Sequence, residues 1–154
     1  MVIVPSRRRA AFWRDHAAAI HDSSSIQAGV VALRARHVGL VVLINKYDGI
    51  DLPGDACHVL ALDGVPEAYG ALDRVESLAL EDSEAMVVRQ VQRIEQGIGR
   101  GVRSNDDFCV VLLLGSRLTQ RIHAARNFAR FSPATRAQLK LSGKRREARR
   151  GARR

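Results

Sequence analysis

The chain has 154 residues, of which 46% are hydrophobic and 27% charged, with a net charge of +9; this is enough apolar material for one packed domain and excludes wholesale disorder. Its longest apolar stretches, Val38 to Ile44 and Val110 to Leu114, fall far short of the roughly 20 residues that cross a bilayer, and three arginines follow rather than precede a short apolar run at the amino terminus, so neither a membrane span nor a secretory signal is expected. Two cysteines, Cys57 and Cys109, exclude a disulfide framework and a multi-cysteine metal site, and a reducing, cytoplasmic setting fits them best.

Val2-Ile3-Val4 reads as a short strand ended by Pro5-Ser6, and Arg8 to Ala19 has helical composition, with Phe12 and Trp13 as packing anchors. Asp22-Ser23-Ser24-Ser25 offers capping oxygens ahead of Ile26, Val30, Leu33 and His37, whose spacing marks one face of a helix. Gly39 to Asn45 (GLVVLIN) is apolar without alternation, as a strand buried on both faces of a parallel sheet requires. Val59 to Leu62 is another short apolar run, bounded by Pro53-Gly54-Asp55 and Asp63-Gly64. A long helix is expected from about Asp82 to Gly97, with acidic residues at its positive end and Val87, Val91, Ile94 and Ile98 on its buried stripe. Phe108 to Leu114 (FCVVLLL) reads as a second fully apolar strand, followed by helical stretches at Arg117 to Phe128 and Pro133 to Leu141. Strands alternating with helices predict an α/β, three-layer domain with a mainly parallel sheet. From Gly143 to Arg154 (GKRREARRGARR) the chain has seven basic residues and one acid. So dense a block of like charge fits a solvated, disordered tail; the functional alternative is a phosphate-binding arm whose affinity falls steeply with salt.

The segment with most chemical information is Arg89 to Arg103. Arg89, Arg93, Gln96, Arg100 and Arg103 recur at alternating spacings of four and three residues, a cationic stripe on one helical face. Gly97, Gly99 and Gly101 fall within it, each costing about 0.8 to 1 kcal/mol relative to Ala if helical. Glycine lets a backbone approach a ligand or another element closely, so the pattern suits arginines held near a phosphate by a tightly fitted helix end; a solvent-facing arginine stripe accounts for the spacing as well.

Gln96-Gly97-Ile98-Gly99-Arg100-Gly101-Val102-Arg103-Ser104, running on to Asp106-Asp107-Phe108 and an apolar strand, resembles motif VI of superfamily 2 helicases, Q-x-x-G-R-x-x-R. Tyr47-Asp48-Gly49-Ile50-Asp51-Leu52-Pro53-Gly54-Asp55 is similar to motif V of the XPD/DinG-like branch, and Val2 to Ser6 is similar to motif IV, a strand ending in a small polar residue. The resemblance covers residues 1–142 and implies the C-terminal RecA-like lobe of an ATP-dependent DNA helicase, with 143–154 as a separate basic tail. It implies Arg100 and Arg103 as arginine fingers, Gln96, Gly99, Gly49 and Asp51 at the nucleotide, and Ser6, Asn45, Lys46 and Tyr47 against the nucleic-acid backbone. A loop turn accounts for Asn45 and a packing role for Tyr47 almost as well.

The resemblance further implies ATP and Mg²⁺ held mainly by a first RecA-like lobe, neither bound by this chain alone, and single-stranded DNA as the partner, with RNA as the alternative. No G-x-x-x-x-G-K-[ST] occurs in the chain, so it is expected not to hydrolyse ATP by itself. Gly115-Ser116-Arg117 departs from the pattern, in which an acidic residue often precedes the arginine. Start and end suggest a truncated or frameshifted fragment. The five histidines include no pair at helical ligand spacing, and Asp48, Asp51 and Asp55 are separated by a Pro-Gly turn, so no metal site is expected. A different class of reading is a non-enzymatic nucleic-acid-binding protein, built on a degenerate lobe whose basic tail supplies the affinity.

Overall fold

The computed structural model describes residues 1–47, 57–66, 83–99 and 108–151, with 144–151 as backbone. Five parallel strands form one sheet: β1 (Val2–Val4), β2 (Ala19–His21), β3 (Val41–Ile44), β4 (Val59–Asp63) and β5 (Val110–Leu114), in the order β2-β3-β1-β4-β5. The register pairs Val2, Ile3 and Val4 with Val42, Leu43 and Ile44 on one side, and Val2 and Ile3 with Ala61 and Leu62 on the other. The β-branched run of β1 thereby becomes the middle of the sheet, buried along its whole length.

Helices α1 (Arg7–Ala11), α2 (Ile26–Ala35), α3 (Glu84–Ile98), α4 (Ser116–His123), α5 (Ala125–Phe128) and α6 (Pro133–Gly151) cover the sheet unequally. The larger core lies on one face. There Ile3, Val41, Leu43, Leu60 and Leu62 pack with Val30 and Leu33 of α2, Val87, Val91 and Ile94 of α3, Leu118 and Ile122 of α4, and Leu139 of α6. On the opposite face Val2, Val4, Val42 and Ala61 pack, among the described residues, with Ala10 of α1 and a fringe including Trp13 and Ala17. Alternate residues of each strand thus serve the two faces, as the unalternating apolar runs require.

Several elements differ from the expected ones. The helix expected over Arg8 to Ala19 ends at Ala11, and Ala19-Ile20-His21 is the edge strand β2, registered on Val41, Val42 and Leu43. Parallel pairing with β3 offers three backbone positions that a helix there would forgo, so tertiary context overrides composition. α2 stops before His37, because Arg36 is extended with φ −166°. The helix expected from Arg117 to Phe128 breaks at Ala124 (ψ 126°), and the Asn127 side-chain amide donates to the Arg121 carbonyl at 2.8 Å, satisfying a group that the break leaves over. β5 is not buried on both faces: as an edge strand it leaves Val110 and Leu112 exposed. α6 continues through Gly151, so the backbone of the basic segment is helical to that point. Ala, Arg, Lys and Glu are strong helix formers, and the segment extends a turn already nucleated by packing at Leu139.

Candidate functional site

Parallel strands bring their carboxyl ends to one edge of a sheet, and the chain places its turn formers there. β1 ends in Pro5-Ser6, where Ser6 caps α1 and its hydroxyl oxygen accepts from the Arg9 amide at 3.4 Å. β4 ends in Asp63 and Gly64, and β5 in Gly115, with positive φ of 110° and 93° at the two glycines. At Gly64 a Cβ would stand 2.9 Å from the Pro5 ring, so only glycine lets these two strand ends close up. The three strand ends surround a cleft of about 510 Å³ lined by Ser6, Arg8, Arg9, Asp63, Arg117 and Arg121, among others.

Asp63 is fully buried, and three donors satisfy it. Arg9 approaches with a fork, Nε to one oxygen and Nη2 to the other, both at 2.7 Å, and the Trp13 indole N–H donates at 2.7 Å. Such bidentate pairing is the geometry that guanidinium, and not ammonium, provides. The hydrogen bond to Asp63 raises the Arg9 pKa further above its ordinary value, against the opposing effect of burial. Arg9 also lies over the Phe12 ring, 4.9 Å from its centre. Asp63 therefore neutralises Arg9 and holds it in place, and Arg8, Arg117 and Arg121 pair with no carboxylate among the described residues. Arg117 stands in the first turn of α4, whose unsatisfied amides add positive potential at the same mouth. The arrangement suits an extended, multiply charged anion better than a neutral ligand.

The expected site residues divide into three groups. Ser6 lines the cleft. Asn45 and Lys46 follow β3 at the same sheet edge, half-buried, and Asn45 takes a left-handed conformation (φ 54°) that asparagine tolerates, with its amide donating to the Val4 carbonyl. They stand beside the cleft and do not line it. Tyr47 is a core residue, 1% exposed, with its hydroxyl 3.5 Å from the Gly64 carbonyl. Of the two readings its residue type allowed, the packing one matches this position, and a ring so enclosed offers no face to a base.

Gln96 and Gly99 are exposed at the end of α3, where Gly99 is the C-cap. Gly97, between them, is buried, and a Cβ on it would stand 3.1 Å from Tyr47 Cδ1 and 3.3 Å from both Leu62 methyls. This glycine serves the approach of a helix to another element rather than to a ligand. It also brings the residues preceding Arg100 against the residue preceding Asp48. Gly49, Asp51, Arg100 and Arg103 themselves lie outside the described residues. Arg8, Arg9, Asp63 and Arg121 do not stand out in the sequence as site residues. The signal that could have found them is basic residues directly after strand ends, together with a lone aspartate closing an apolar strand.

A family model for the helicase C-terminal domain matches residues 34–133, about two-thirds of the chain. The match runs from the end of α2 to the start of α6 and takes in both glycine-bearing segments. No curated protein matches the chain. No helix among the described residues is long and apolar enough to cross a membrane.

Proposed function

We propose, because this chain belongs to the helicase C-terminal domain family, that it works as the C-terminal RecA-like lobe of an ATP-dependent DNA helicase of the XPD/DinG-like kind. Arg100 and Arg103 act as arginine fingers on nucleotide held mainly by a first lobe, with Gln96, Gly99, Gly49 and Asp51 on this chain's side of the site. ATP, with its Mg²⁺, supplies the phosphoryl group that is hydrolysed; this chain supplies positive charge where negative charge develops. The observation that carries the reading is the close contact of Gly97 with Tyr47. It anchors the segment entering Arg100 and Arg103 against the segment entering Gly49 and Asp51, as a site shared between the two requires. The exposed positions of Gln96 and Gly99 at the same helix end suit contact with a ligand or another lobe.

The nucleic acid runs over the carboxyl edge of the sheet, with phosphates met by Ser6, Asn45 and Lys46 and by the cleft arginines Arg8, Arg117 and Arg121. Phosphate contacts of this kind position a strand without reading its sequence. The test is hydrolysis of ATP with a first lobe supplied. Arg100→Ala and Arg103→Ala should each lower kcat by about 10³-fold or more while leaving single-strand binding within a few fold. Unchanged kcat in both variants would overturn the reading.

The non-enzymatic reading rests on the basic segment 143–154, whose seven basic residues continue from α6, a helix that runs through Gly151. If deletion of residues 143–154 abolishes single-strand binding, and Arg100→Ala changes nothing with the first lobe present, the chain is a binding module on a helicase scaffold.

A further inference from the structure

In the sequence Cys57 and Cys109 are two separate apolar cysteines, yet strand pairing makes them neighbours. β4 and β5 are registered Val59 to Val110, and the Val110 amide extends the ladder by donating to the His58 carbonyl at 2.8 Å. Continued to the residues just ahead of the strands, this register sets the two cysteine Cα atoms about 6 Å apart, from the spacing between strands and the rise along them. That lies within the range of Cα separations that disulfides span. Beyond the bend at His58, Cys57 lies in the larger core, against which Cys109 also packs, and each thiol donates to a backbone carbonyl, Cys57 to Val59 and Cys109 to Val110. Cys57 is 5% exposed, whereas Cys109 is half-buried and lines a cleft of about 700 Å³ between the end of α3, β5 and α6. The neighbouring thiol lowers the Cys57 pKa to about 6 against the effect of burial, whereas the same neighbour and burial together raise that of Cys109.

We propose that Cys57 and Cys109 are a reversible dithiol–disulfide site, oxidised by a small peroxide that enters through the cleft beside Cys109. The Cys57 thiolate takes the Cys109 proton, and the Cys109 thiolate so formed attacks one peroxide oxygen. The O–O bond breaks, a sulfenic acid forms on Cys109, and hydroxide leaves as water with the Cys57 proton. The Cys57 thiolate then attacks the Cys109 sulfur, forming S–S and expelling a second hydroxide, which takes a proton from solvent. Two electrons pass from the dithiol to one peroxide, which becomes two waters. In sequence, Cys57 follows the segment carrying Gly49 and Asp51, and Cys109 follows the one carrying Arg100 and Arg103. The bond therefore ties the exits of both segments together.

The test treats the whole folded chain with hydrogen peroxide and counts free thiols. Both should disappear together, one peroxide consumed per chain, with the Cys57 and Cys109 peptides crosslinked within a single chain and both thiols restored by dithiothreitol. Cys57→Ser should leave Cys109 at the sulfenic acid, captured by a dimedone probe. Cys109→Ser should slow oxidation of Cys57 by at least tenfold, and it keeps the test decisive if the Cys57 variant does not fold. Two titratable thiols persisting in oxidised folded protein, independent oxidation of the two, or a crosslink between chains would overturn the proposal. Thiol counting involves neither nucleotide nor nucleic acid, so its outcome stands apart from the helicase reading.

Discussion

Asp63 and Arg9 show how one buried carboxylate can order a cleft. The pair lies at the end of β4, with the carboxylate fully enclosed and the guanidinium partly in water. Removing the cation strands the anion, so Arg9→Ala should destabilise the fold by about 3 kcal/mol in urea unfolding. Arg9→Lys should recover only part of this, because an ammonium cannot occupy both oxygens at once. Asp22 presents the exposed counterpart. Hydrogen bonds from the Ser24 hydroxyl and amide, with Arg7 adding its charge, lower its pKa from 3.8 to about 2. A depressed folded-state pKa gives stability that is complete above the unfolded value and is lost as pH falls through the folded one. Unfolding free energy should therefore decline between about pH 4 and pH 2 on account of this group, and Asp22→Asn should flatten that part of the pH profile.

At the scale of elements, the end of α3 carries the most specific constraint. Gly97 gives up helix propensity so that the helix can lie against Tyr47 and Leu62, both essentially inaccessible to solvent and unable to yield. Gly97→Val should cost about 2 kcal/mol in chemical denaturation through overpacking, although valine is the better helix former. Elsewhere in α3, Ser83 caps the helix by accepting from the Met86 amide at 3.3 Å. Glu95, toward the other end, accepts from the Ser132 amide and the Thr135 hydroxyl and so fixes the start of α6. Burial works to raise the Glu95 pKa, and these hydrogen bonds outweigh it, leaving it lowered. The capping serine and the apolar stripe of α3 are visible in the sequence because they are local. The partner of Glu95 lies in another helix and is not.

At the scale of the molecule, how deeply each sheet position is buried decides what its side chain is worth. Leu62 of β4, fully buried in the larger core against Gly97 of α3, should cost about 3 kcal/mol or more as Leu62→Ala, whereas Val110→Lys on the exposed side of β5 should stay within about 1 kcal/mol; thermal or urea unfolding separates the two. Replacing Arg8, Arg117 and Arg121 together by Ala should weaken single-strand binding and reduce the slope of log affinity against log salt by about 2, at roughly 0.7 for each phosphate no longer neutralised. Sequence alone determined the alternation of strand and helix, the apolar faces, and the glycine-arginine segment, because each is a periodicity or spacing within one stretch of chain. It also contained Arg9, Asp63, Arg117 and Arg121, but not their convergence. Only the tertiary structure decided that β1 is central, that β5 is an edge, that Tyr47 is core, and that residues from three strand ends share one cleft. Those outcomes depend on which strands pair, and pairing is settled by the burial of whole faces rather than by any local pattern.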